Sequence, residues 1–242
     1  MDCVLSRYAA ILVLASAMPA QAIWDQALAD ATTRPVVVEL FTSQGCSSCP
    51  PADALLGELL LKSNVIALGF HVDYWDGIGW HDRFSMSEAT ERQRRYAQSL
   101  NLSSAFTPQV VINGRRSIVG SDRQGLTEAI AETSVLAINA IVVQENLVIT
   151  LPDKGDRYHR DVFAVAYLPQ ATTNVRAGEN SGKTLTEFNV VRQIRQVGIW
   201  DGKAGTFQIP VKSFPSDASQ VAVLIQQANE GGIFAAATVS IR

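Results

Sequence analysis

Cys46 and Cys49 flank Ser47-Ser48 within the stretch from Gly45 to Pro51. Thiols at C-x-x-C spacing can work as a redox pair, in which one sulfur attacks a partner and the other resolves the mixed disulfide. Two plainer chemistries use the same residues. The pair can close a structural disulfide, or it can supply half of a zinc site, which needs a second Cys or His pair at matched spacing.

The elements around the pair decide how its sulfurs are presented. Val36 to Phe41 is an apolar run interrupted only by Glu39, the pattern of a strand buried on both faces of a parallel sheet. Downstream, Leu55/Leu59 and Leu56/Leu60 repeat at helical spacing, predicting a helix to about residue 62. Pro50 and Pro51 are tolerated in its first turn, where backbone N–H groups have no intrahelical partner. This sets Cys46 at the helix tip, where free N–H groups and the helix dipole favour a thiolate. Cys49 falls one turn further in and is less exposed.

The chain has 242 residues, 47% of them hydrophobic, and a net charge of −3. That is enough for two small domains or one large one, with no basic patch for nucleic acid. Residues 1–22 read as a signal peptide: Arg7 gives a basic start, Tyr8 to Met18 an apolar centre, and Ala20-Gln21-Ala22 a cleavage site. The alternative is an uncleaved anchor. No later apolar run reaches the length of a membrane span, so no stable insertion is expected after cleavage. Cleavage removes Cys3 and leaves Cys46 and Cys49 in a periplasmic or secreted chain, a setting in which disulfides form and persist.

Residues 65–72 form a second apolar run, completing a βαβ unit with parallel strands. The loop that follows, 73–82, carries Tyr74, Trp75 and Trp80, either a substrate platform or a plug over the core. His71, Asp73, Asp76 and His81 have metal-ligand chemistry but no recognised spacing, and hydrogen bonding within the loop is the plainer reading. A helix over 86–100 follows, with Ser85 and Glu88 as a capping box and Glu88/Arg92 and Glu91/Arg95 pairs on its solvent side. Asn113-Gly114 between β-rich runs predicts a hairpin, with Pro108 at its entrance. Asp122 caps a helix over 123–134.

This order, with Cys46-x-x-Cys49, Thr107-Pro108 and Gly120 in place, resembles the thioredoxin superfamily from about residue 34 to 134. More narrowly, Val38 to Asp53, His71 to Asp76 and Gly178-Glu179-Asn180 resemble a family of secreted bacterial thioredoxin-like proteins classed as a domain of unknown function. The resemblance implies a cis Thr107–Pro108 bond packed against the cysteines, with Thr107 pairing with the substrate backbone. It also implies a buried acid near the second cysteine. Glu39 is the candidate, either as proton carrier for Cys49 or as an ion pair at an interface with the second half. Departures from thioredoxin are Gly45 where it has Trp, and Ser47-Ser48 between the cysteines, which leaves the direction of transfer open.

From about residue 136 short β-rich runs alternate with turns, predicting an antiparallel sandwich over 136–242 after a thioredoxin-like α/β domain over 23–135. Val162/Ala164/Ala166 and Phe163/Val165/Tyr167 alternate between two faces. Arg176 to Thr186 is a polar, glycine-containing loop, either solvated or in contact with the first domain or a ligand. The expected function is exported thiol–disulfide oxidoreduction through Cys46, Cys49, Pro108 and Glu39, with Thr107, Tyr74, Trp75 and Trp80 facing the substrate. Partners would be proteins or small thiols and disulfides, and no cofactor or metal is called for. The alternatives are a copper-handling protein using His71, and a non-catalytic interaction protein.

Overall fold

In the computed structural model, which describes residues 34–242, the apolar run becomes strand β1 (Val36–Thr42), buried along its whole length. The expected signal peptide over 1–22 and the lead-in that follows it lie outside the described residues. Helix α1 (Pro50–Leu59) places both prolines in its first turn. Strand β2 (Val65–His71) pairs parallel with β1, as the βαβ pattern requires. Helix α2 (Ser87–Ser99) comes next, followed by β3 (Gln109–Ile112) and β4 (Arg116–Val119), an antiparallel hairpin. Asn113 and Gly114 have φ of 48° and 64°, the paired positive values of a type I′ turn. Asp122 accepts a hydrogen bond from the Gly125 N–H at 2.9 Å and caps α3 (Arg123–Ala131). The predicted capping box of α2 does not form, because the Ser85 hydroxyl donates to Asp76 instead.

The second half contributes β5 (Leu136–Ala137), β6 (Asn139–Val143), β7 (Asn146–Leu151), β8 (Arg160–Asn174), β9 (Thr184–Trp200), β10 (Gly205–Pro210), β11 (Gln220–Gln227) and β12 (Ile233–Ser240). It does not close a sandwich of its own. One nine-stranded mixed sheet runs β4-β3-β1-β2-β9-β8-β11-β12-β5, and β10-β7-β6 form a small antiparallel sheet. The strand pairing between the halves is short. β2 meets β9 in parallel at Gly69 and Val190, and the Asn189 amide donates to the Ala67 carbonyl at 2.8 Å.

Side-chain parity on this sheet sorts the core into layers. Val36, Val38 and Leu40 pack against α1 and α3 through Ala52, Leu56, Leu126 and Ile130. Val37 and Phe41 face the other way, towards Ala89 and Tyr96 of α2, in a cluster that continues through Phe163, Val165 and Leu224. The alternate residues Val162, Ala164 and Ala166 meet Leu147 and Ile149 of the small sheet. The period-2 alternation read in β8 therefore divides two cores.

Candidate functional site

Cys46 and Cys49 are joined in a disulfide with Cα atoms 5.4 Å apart. The helix proper begins one residue after Cys49, which serves as the N-cap. Cys46 therefore lies a turn before the helix, its carbonyl accepting from the Cys49 N–H at 3.2 Å. Both cysteines are 0% exposed, so the expected exposure of Cys46 is not met. The Ser48 hydroxyl lies 3.3 Å from the Cys46 sulfur.

Thr107–Pro108 is cis. Pro108 packs beside α1, since a Cβ built on Gly120 would stand 3.0 Å from both Pro108 Cβ and Ala52 Cβ. Trp75 fixes the neighbouring residue: its indole N–H donates to the Thr107 hydroxyl at 2.8 Å. Trp75 also explains Gly45, where an added Cβ would come within 3.1 Å of Trp75 Cβ. Trp80 donates to the Gln44 side-chain carbonyl at 3.0 Å, and Tyr74 stays partly exposed beside Trp75. The aromatic loop thus braces the turn that carries the cysteines.

Glu39 does not sit with the sulfurs. Its parity in β1 points it away from α1, and both its oxygens are taken: Arg92 Nε donates at 2.8 Å and the Tyr96 hydroxyl at 2.5 Å. Arg92, fully buried, also donates to Gln226 of β11 at 2.9 Å and faces Glu230. The expected Glu88/Arg92 pair on the solvent side is absent because Arg92 points inward, and Arg95 pairs with Glu230. Glu39 thus forms an ion pair within the first half, and its partner Arg92 carries the contact on to Gln226 and Glu230 of the second half.

A different buried acidic cluster lies on the α1 face. His71 and Thr42 are register partners on β2 and β1 and share a face. Asp53 stands one helical turn after Cys49, and because helix side chains lean towards the N-terminus its carboxyl leans towards that residue. Burial pushes Asp53 up to about 6, although nearby His71 and Thr42 oppose the shift. His71 Nδ1 lies 2.7 Å from Asp82. Burial disfavours the imidazolium, but Asp82, with Asp53 and Glu187 beyond it, outweighs this and raises the His71 pKa. Burial likewise works against the Asp82 carboxylate. His71 and the N–H groups of Gln44 and Phe84 prevail and hold its pKa down.

Glu187 of β9 completes the cluster. Burial pushes it up to about 7, with His71 and Gln44 opposing and Asp53 and Asp82 reinforcing. Gln44 donates to its Oε1 at 2.9 Å, while its Oε2 is buried without a partner. A pocket of about 290 Å³, lined by Pro50, Asp53, Thr186 and Phe188, opens beside Asp53. Where His71 carries a proton it balances only Asp82, so ionised Asp53 or Glu187 adds net buried charge. The cluster can hold a proton one helical turn beyond Cys49.

Of the other polar candidates, Asp76 faces His81 within the loop and accepts from Ser85 beyond it, while Asp73 accepts from Thr90 of α2. No group of His, Cys, Asp and Glu among the described residues is arranged to hold a metal ion. Sequence reasoning overlooked Asp53, Asp82 and Glu187 as site residues. A usable signal for Asp53 was an acid between the core positions Ala52 and Leu55/Leu56 on an otherwise apolar helix face.

From the second half, Gly178-Glu179-Asn180 reaches the cysteine turn. Asn180 Nδ2 donates to the carbonyls of Gln44 and Cys46, each at 2.9 Å, and Glu179 accepts from the Ser47 N–H at 3.0 Å. The loop over 175–183 is therefore a contact with the first half.

Among solved structures, a protein from Agrobacterium tumefaciens is 30% identical, with a TM-score of 0.74, over 86% of this chain and 94% of that one. HBP35 of Porphyromonas gingivalis is 14% identical, with a TM-score of 0.56, over 86% of this chain and 75% of that one, a likeness that shows the fold alone. No curated protein matches the chain. The cysteine pair thus sits in a thioredoxin-like fold, and with a family model matching residues 37–226 the chain belongs to the family described as "Protein of unknown function (DUF1223)".

Proposed function

We propose that this protein is an exported thiol–disulfide oxidoreductase acting on protein or small thiol and disulfide partners. The observation that carries the reading is the Cys46–Cys49 disulfide at the start of α1 with buried Asp53 one helical turn beyond it, in a cluster with His71, Asp82 and Glu187 that a purely structural disulfide does not need. A partner thiolate attacks the Cys46 sulfur, the Cys46–Cys49 bond breaks, and Cys49 leaves as a thiolate that takes a proton from Asp53. A second partner thiolate then attacks the partner's own sulfur in the mixed disulfide and releases Cys46. The partner gains a disulfide and the protein a dithiol; the reverse sequence reduces a partner. Glu187, with His71 and Asp82, resupplies the proton. Pro108 walls the pair, and Thr107, Tyr74 and Trp75 border the seat for the partner.

Catalysed exchange between dithiothreitol and a model protein disulfide tests this reading. Wild-type protein should accelerate the exchange and Cys46→Ser should abolish the acceleration. An equal rate with and without protein would overturn it. The complete burial of both cysteines favours a second reading, an interaction protein whose disulfide only stiffens the loop, and the absence of acceleration would support it.

A further inference from the structure

The loop from Val175 to Lys183 joins β8 to β9 and lies across the cysteine turn. Its base is closed by backbone hydrogen bonds, Val175 N–H to Lys183 C=O and Gly182 N–H to Val175 C=O, each at 2.9 Å. At its tip Asn180, 0% exposed, holds the carbonyls on either side of Gly45, and Lys183 Nζ in turn holds the Asn180 oxygen at 2.9 Å. Gly178 has φ of 71°, and a Cβ there would stand 3.0 Å from Trp80 Cβ, so the loop is pressed against the aromatic loop. Little apolar surface holds it down. Val175 is buried, but Glu179, Ser181, Gly182 and Lys183 are exposed. A segment held by a few polar contacts opens at low cost compared with the core.

We propose that this strap gates the redox pair, with Asn180 as the positioning residue that keeps it shut and so selects which partners reach Cys46. The inference rests on the redox reading above, and it adds what that reading lacks: a route by which a sulfur with no exposure meets a partner sulfur. In the closed state a partner thiolate cannot approach Cys46 along the S–S axis. When the strap swings about its base at Val175 and Lys183, the Asn180 bonds break, and attack and Cys49 departure follow as written above. Bulky partners need a wider opening than small thiols, so the strap discriminates by size.

Alkylation of the reduced, full-length protein tests the gate without any partner, so its outcome is separate from that of the exchange assay. Cys46 modification is followed with N-ethylmaleimide and with a maleimide carrying a long polyethylene glycol chain. Wild type should react far more slowly with the bulky reagent than with the small one. Asn180→Ala removes three hydrogen bonds, two of them to the cysteine turn, and should speed the bulky reaction by roughly tenfold or more, narrowing the gap between reagents. Glu179→Gln, at an exposed position that leaves folding intact, should narrow it less. It should also weaken hydrogen-exchange protection of the Ser47 amide. A purely structural role for Asn180 would change both reagents' rates in proportion. Such proportional change, or unchanged rates in Glu179→Gln with unchanged Ser47 protection, would overturn the gate.

Discussion

Asp53 and Glu39 are both buried acids within reach of the cysteine sequence, and only side-chain parity separates their roles. Glu39 faces α2, where Arg92 neutralises it. Asp53 lies buried on the α1 side near His71, without a full counter-charge. The Asp53 pKa rises from 3.8 to about 6, so between those values the folded state binds more protons than the unfolded one. Stability is then fully present below about pH 4 and is lost as pH rises through the folded pKa, by on the order of 2–3 kcal/mol for this one group. Asp53→Asn mimics the protonated form, so its stability should gain on wild type as pH climbs from about 4 to about 7.5. Urea unfolding across that range checks it, and parallel curves would contradict the buried titration. Glu187→Gln should behave alike, over a window reaching to about 7.

At the scale of elements, the α2 face is held by a buried ion pair that the sequence placed among two alternatives. Removing Glu39 leaves buried Arg92 with only Glu230 as counter-charge, which Arg95 shares, and breaking such a pair typically costs about 3–5 kcal/mol. Glu39→Ala should therefore lower the thermal midpoint strongly, while thiol exchange measured well below that midpoint keeps its rate. Loss of exchange without loss of stability would return Glu39 to the catalytic site. The first-half elements were legible because their periodicities and punctuation are local: Pro50-Pro51, Asn113-Gly114 and Asp122 each act within a few residues. The inward turn of Arg92 was not, because helical spacing offers Glu88 as a partner and cannot see Gln226 or Glu230 across the sheet. Pro169 does not end β8, because β11 pairs with that strand only as far as Tyr167.

For the whole molecule, the sequence pattern shows where strands begin and end but not which strands neighbour each other. The predicted split at 135/136 assumed that a change of element type marks a change of sheet. Instead β9 extends the first-half sheet, and Phe163, Val165 and Leu224 share one core with Phe41 and Phe70. Near-UV circular dichroism and tryptophan fluorescence should report a single coincident unfolding transition, and residues 34–135 expressed alone should fail to fold cooperatively. Two separated transitions would contradict a shared core. The central claim, that Cys46 exchanges disulfides with partners, is tested most directly by Cys49→Ala, which removes the resolving thiol. Non-reducing gels of cells producing this variant should show adducts that vanish on reduction and are missing when Cys46 is also replaced by Ala. A Cys49→Ala lane that runs as free protein alone would contradict the claim.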